Sequence, residues 1–121
     1  MKITIRTIEA IAAMNASGFT ISANDLSAIE CGYAVSIAET QNSFGTEGIA
    51  RVLQAIEAGK ANAIGGWYDS QSGLYYYDAV CVYSDKQSAE YAAIENDQIA
   101  YFDLNNCEEI RLKESSILQT A

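Results

Sequence analysis

Ala63-Ile64-Gly65-Gly66-Trp67-Tyr68-Asp69, Ser70-Gln71-Ser72-Gly73 and Leu74-Tyr75-Tyr76-Tyr77-Asp78-Ala79-Val80-Cys81-Val82-Tyr83 follow one another without interruption. The two outer blocks are dense in aromatic and β-branched residues, the composition of strands. The polar block between them ends in glycine, so the whole reads as a β-hairpin in which Gly73 supplies the positive φ. Along residues 74–83, Tyr75, Tyr77, Ala79, Cys81 and Tyr83 fall on one face and Leu74, Tyr76, Asp78, Val80 and Val82 on the other. Neither face is plainly polar, which marks a central strand partly covered on both sides.

Helices and further strands surround this hairpin. Upstream, Ile49, Val52, Leu53 and Ile56 recur at i, i+3, i+4, i+7 and make one apolar stripe. Thr46 is placed to cap that helix and Gly59 to end it. Thr7 to Ser17 repeats the pattern, with Thr7 as cap, Ile8, Ile11 and Ala12 as stripe and Gly18 as stop. Downstream, Ser84-x-x-Gln87 has the form of a capping box for a helix over about 85–96. Its apolar residues are Ala89, Tyr91, Ala92, Ala93 and Ile94. Strands are expected at Gly18–Ser22, Tyr33–Ile37, Ile99–Leu104 and Cys107–Leu112, the last two joined through a two-residue Asn105-Asn106 turn. Residues 23–32 are the least legible, with Leu26 and Ile29 spaced for one helical turn. The order is αββ-αββ-αββ. It predicts a single α+β domain over 1–121, a mostly antiparallel sheet with helices on one face.

Composition excludes several functions. The chain has 121 residues, half of them hydrophobic, with 7 basic against 16 acidic side chains and a net charge of −9. A nucleic-acid binder needs a basic face, so direct binding of nucleic acid is not expected. Histidine is absent, which removes the usual general base and the commonest metal ligand. Cys31, Cys81 and Cys107 are widely spaced with no CxxC, so no metal site and no cofactor is expected. Cys81, within Val80-Cys81-Val82, reads as a small buried hydrophobe. The apolar stretch Ile8–Met14 is short and broken by Glu9. It does not read as a signal peptide or a membrane span, and the expectation is a cytoplasmic protein with reduced thiols and no membrane partner. No catalytic residue is assigned: a serine nucleophile has no imidazole to activate it, and Gly65-Gly66 lacks the lysine and hydroxyl of a phosphate loop.

Two features invite function. Trp67, Tyr75, Tyr76, Tyr77, Asp78 and Asp103 form the candidate partner-binding set, since tryptophan and tyrosine dominate interface hot spots. Gly65, Gly66, Asp69 and Gly73 are assigned to turn and packing roles. Charge is also uneven, because residues 61–121 carry ten of the 16 acidic side chains. The leading expectation is a non-enzymatic protein–protein interaction module. The alternatives are an acidic mimic of DNA that inhibits a DNA-binding enzyme and, behind it, a hydrolase using Asp78 or Asp103.

The hairpin resembles a G-G-W-x-D-x-x-x-G-x-x-Y-x-D pattern, carried here by Gly65, Gly66, Trp67, Asp69, Gly73, Tyr76 and Asp78. It is similar to that of small bacterial proteins and domains of unknown function borne on phages and conjugative elements. Gln98-Ile99-Ala100-Tyr101-Phe102-Asp103-Leu104 with Glu108-Glu109-Ile110 resembles the end of the same family. Gly18-Phe19-Thr20 and Gly32-Tyr33-Ala34-Val35 resemble its opening strands, so the likeness spans roughly 18–112. Relatives often carry a basic residue three positions past the second aspartate; Cys81 stands there in this chain, and no anionic-ligand site is carried over. The resemblance implies a mobile-element accessory protein and names no reaction.

Overall fold

The computed structural model describes residues 3–112. Its elements, in chain order, are α1 (Ile5–Met14), β1 (Gly18–Ser22), β2 (Tyr33–Ser36), a 3-10 turn at Ala38–Thr40, α2 (Gly45–Glu57), β3 (Ala63–Asp69), β4 (Leu74–Tyr83), α3 (Lys86–Glu95), β5 (Ala100–Asp103) and β6 (Glu108–Arg111). The fold is α+β. Six strands form one sheet in the order β1-β3-β4-β2-β5-β6, and every neighbouring pair is antiparallel. No helix among the described residues is long and apolar enough to cross a membrane.

The alternation along β4 governs the layers. Its odd-numbered residues face the helices: Tyr77 and Ala79 pack with Ile21, Ile37 and Ile64, under Ile8 and Ala12 of α1 and Ile49, Val52 and Ala55 of α2. Beside them Val35 and Tyr101 lie beneath Ala89 and Ala93 of α3, both fully buried. The two alanines carry almost no side chain, so the α3 backbone lies close to the sheet. Tyr91 and Ile94, read as part of that apolar face, instead point outward and are exposed. Even-numbered β4 residues face the other side, which none of the described helices covers.

The first two strands do not pair with each other. β1 lies at the edge beside β3, whereas β2 is inserted between β4 and β5. Residues 23–32 therefore travel past β3 and β4 to join them. They form no helix with Leu26 and Ile29 on one face: a single turn over 23–25 closes with the Leu26 N–H on the Ser22 carbonyl at 2.8 Å, Leu26 takes φ 63°, and Ala28 bridges back to Ile21. Leu26 packs on the helix-side core while Ile29 packs on the opposite face with Ala34, Ala63, Val80 and Leu104. This connection closes one end of the otherwise open face.

Helix starts differ from their expected positions. Thr4, not Thr7, caps α1, its hydroxyl accepting the Thr7 N–H at 3.2 Å. Phe44 occupies the N-cap of α2, and Thr46 donates instead to Glu9 Oε2 at 3.2 Å. Asp85 replaces the Ser84/Gln87 box at α3, accepting the Ser88 N–H at 2.9 Å. The β5–β6 turn spans four residues, Leu104–Cys107, and its positive φ falls on Cys107 rather than on an asparagine. The Asp103 carboxylate makes this possible by holding the backbone N–H groups of Asn105 and Asn106.

Gly66 is required by packing. A Cβ there would lie 2.3 Å from Phe19 Cε1 and 2.8 Å from Tyr75 Cε1. Gly66→Ala is expected to lower unfolding free energy by about 2 kcal/mol through overpacking. Gly59→Ala, where φ is +76° but nothing lies within 4 Å, should cost only about 1 kcal/mol. Urea denaturation of the two variants checks the ranking.

Candidate functional site on the uncovered sheet face

Strand β4 has ten residues and β2 only four, so more than half of one β4 edge has no strand beside it. Residues 37–44 fill that role. The Ile37 N–H donates to the Ala79 carbonyl at 3.0 Å, the Thr40 hydroxyl accepts the Ala79 N–H at 3.1 Å, and the Ser43 carbonyl accepts the Tyr77 N–H at 2.8 Å. Gly48 is needed here because a Cβ would meet the Ser43 backbone at 2.5 Å. The consequence for the surface is that Phe44 bridges to Tyr76. Its ring meets Tyr76 edge-on at 5.8 Å, and Trp67 stacks on the other side of Tyr76 at 5.0 Å.

Trp67, Tyr76 and Phe44 thus form an aromatic row on the uncovered face, with Trp67 45% and Phe44 48% exposed. Next to it lies an open cavity of about 590 Å³. Gly65, Ala34, Ser36 and Ala100 give it a floor of small residues, Ile29 and Leu104 close one end, and Trp67 and Phe102 stand at its sides. Among the described residues its carboxylates are Asp78 and Glu109, and no described lining residue is basic. Glu109 pairs with Arg111 at 3.1 Å.

Asp78 is the chemically distinctive group. It is partly buried. Opposite it on β3 stands Gly65, whose missing side chain leaves the carboxylate reachable from the cavity. Burial pushes its pKa up to about 6, against the opposing pull of hydrogen bonds from the Ser36 hydroxyl and the Trp67 indole N–H. Both helpers are neutral donors, so the charge has no cation beside it among the described lining residues.

The six residues proposed from sequence are divided between two faces. Trp67, Tyr76 and Asp78 come together on the uncovered side. Tyr75 and Tyr77 point the other way, into the helix-side core. Tyr77 is 6% exposed and closed to a partner. The Tyr75 hydroxyl donates to the Asn15 carbonyl at 2.8 Å, and burial pushes its phenol up to about 12. Asp103 is 5% exposed and occupied by its own turn, accepting also from the side-chain amides of Asn105 and Asn106. These bonds hold its carboxyl below the usual range, Asn106 contributing most. Asp69 does similar work in the β3–β4 turn, accepting from the Gln71 N–H and the Ser72 hydroxyl, while Gly73 takes φ +74°. Phe44, Phe102 and Ser36 were not singled out from sequence. Phe44 had a weak signal, a large apolar residue beside a glycine at a helix start. Phe102 and Ser36 had none.

Among the described residues no group of three or more metal-ligating side chains comes together. Cys31, Cys81 and Cys107 are free thiols. Cys81 is only partly buried and donates to the Lys60 carbonyl at 3.4 Å. No protein-family model, curated protein or solved structure matches this chain.

The raised pKa of Asp78 has a consequence for stability. The folded protein holds this proton more tightly than the unfolded chain between roughly pH 4 and pH 6. The contribution of Asp78 therefore falls as pH rises through that window and stays low above it. Asp78→Asn should raise stability at pH 8 by about 3 kcal/mol, the scale set by a shift of this size, and flatten the profile from pH 4 to pH 6. Urea unfolding across pH measures both effects, and a structurally required aspartate would give a loss instead.

Proposed function

We propose that this chain is a non-enzymatic protein–protein interaction module that holds its partner on the uncovered face of the sheet. The observation that carries the reading is the Trp67–Tyr76–Phe44 row, held rigid by stacking and left exposed on the side away from all three helices. Rigid, half-exposed aromatics are the side chains that contribute most to interface affinity, because they bury large area and lose little entropy. The small-residue floor beside them supplies a concave surface into which a partner can insert. We place this module among accessory proteins of mobile elements, as the hairpin resemblance implies, in a cytoplasmic setting where its free thiols stay reduced.

Mimicry of DNA has less support. The carboxylates of Asp69, Asp85 and Asp103 are engaged in turns and helix caps, and Glu39 pairs with Lys60 at 2.8 Å. Catalysis by paired carboxylates also has less support, because Glu109 is held by Arg111 and Asp103 lies on the helix side.

Trp67→Ala with Tyr76→Ala should weaken partner binding by more than about 2 kcal/mol, emptying an affinity capture from host lysate of its specific partner. Tyr91→Ala with Ile94→Ala, two exposed positions on α3, should leave capture unchanged. Both variants should melt near the wild-type temperature. Retained capture by a folded Trp67/Tyr76 variant sinks the proposal.

A further inference from the structure

Resting on that reading, we propose that the cavity beside Trp67 receives a lysine or arginine side chain of the partner polypeptide, with the Asp78 carboxylate as its counter-ion. Among the described residues the cavity lining contains carboxylates and no base. Its rim carboxylate, Glu109, already has Arg111, whereas the described groups that bond Asp78 are the neutral Ser36 hydroxyl and Trp67 indole N–H. An anion would be repelled there. A neutral apolar group would desolvate the carboxylate further without compensating it. An incoming ammonium or guanidinium supplies the missing charge.

The walls suit the rest of such a side chain. Trp67 and Phe102 flank the cavity, and aromatic faces accept both an alkyl stem and the cation at its end. The volume, about 590 Å³, is more than one side chain fills. The surplus leaves room for the stretch of chain that carries it, and the aromatic row continues the surface beyond the cavity toward Phe44. The net charge of −9 favours encounter with a basic segment.

Trp67 is the only tryptophan in the chain, so its fluorescence reports on the cavity directly. The probes are an acetylated, amidated Ala-Leu-Arg-Leu-Ala peptide, the same peptide with citrulline in place of arginine, and methylguanidinium. At pH 8 the arginine peptide should shift Trp67 emission saturably and bind at least about ten-fold more tightly than the citrulline peptide, the factor expected of one charge-assisted contact. Asp78→Asn, which should fold, should erase that preference, and Glu109→Gln should keep it. The titratable groups around the cavity are Asp78, Glu109, Cys107 and Tyr101, and the Tyr101 hydroxyl is turned away to donate to Glu90 at 2.8 Å. Lowering the pH to 5 should therefore weaken the arginine peptide through Asp78, and the citrulline peptide should be indifferent to pH.

Equal binding of the arginine and citrulline peptides overturns the inference. So does a preference that survives in Asp78→Asn. Methylguanidinium binding as tightly as the peptide overturns the polypeptide source. If none of the probes binds while the Trp67/Tyr76 variant still loses its partner, the cation inference fails and the interaction face stands. If the probes bind as expected but partner capture ignores Trp67 and Tyr76, the interaction face fails by itself.

Discussion

The backbone of Leu74–Tyr83 requires hydrogen-bond partners along both edges over most of its length, and much of the molecule is arranged around meeting that requirement. Along one edge β3 pairs residues 74–80 through a hairpin, and the Asn62 side chain accepts the Val82 N–H beyond it. The other needs two suppliers, β2 for residues 80–83 and the irregular segment 37–44 for residues 76–79. An unpaired buried amide costs free energy comparable to a lost hydrogen bond, so the irregular segment is held as firmly as a strand. Thr40 and Ser43 are buried polar residues for this reason. Phe44 reaches the aromatic row because Ser43 must reach Tyr77.

The same strand separates structure from surface. Its period of two sends Tyr75, Tyr77, Ala79 and Cys81 into the helix-side core and Tyr76, Asp78, Val80 and Val82 to the other face. A one-residue shift in register would exchange these sets, placing Asp78 under α2 and Tyr77 in the open. Gly66, which fits beneath Phe19 and Tyr75, and Gly65, which leaves the Asp78 carboxylate uncovered, act on opposite sides of the sheet although they adjoin in sequence. Burial of an ionisable carboxyl without a cation is unfavourable for folding. Its placement on a concave sheet face, beside a stacked tryptophan, is a local inconsistency between folding stability and sequence.

Much of the architecture was legible beforehand. The two hairpins, the α2 stripe and the placement of helices on one face follow from local periodicity and turn chemistry. Errors cluster where a side chain had two partners to choose from. Thr46 bonds Glu9 instead of capping its own helix, and Asp85 lies one residue nearer α3 than the expected box. Asp103 looked available for a partner because its four hydrogen bonds come from a turn whose geometry the asparagines alone did not define. Of the candidate site, Trp67, Tyr76 and Asp78 were legible as unusual residues. Their association with Phe44, Ser36 and Phe102 was not, because those contacts join segments separated by about thirty or more residues.

The amino-acid sequence by itself determined the element types, the two hairpins and the alternation along residues 74–83, since each depends on spacing within a few residues. Tertiary structure decided that β2 enters between β4 and β5, that residues 23–32 close one end of the uncovered face, and that Asp78 faces a cavity with no cation among its described lining residues. These depend on which distant segments satisfy the free edges of β4 and which faces remain after the helices have packed, and no local pattern encodes either.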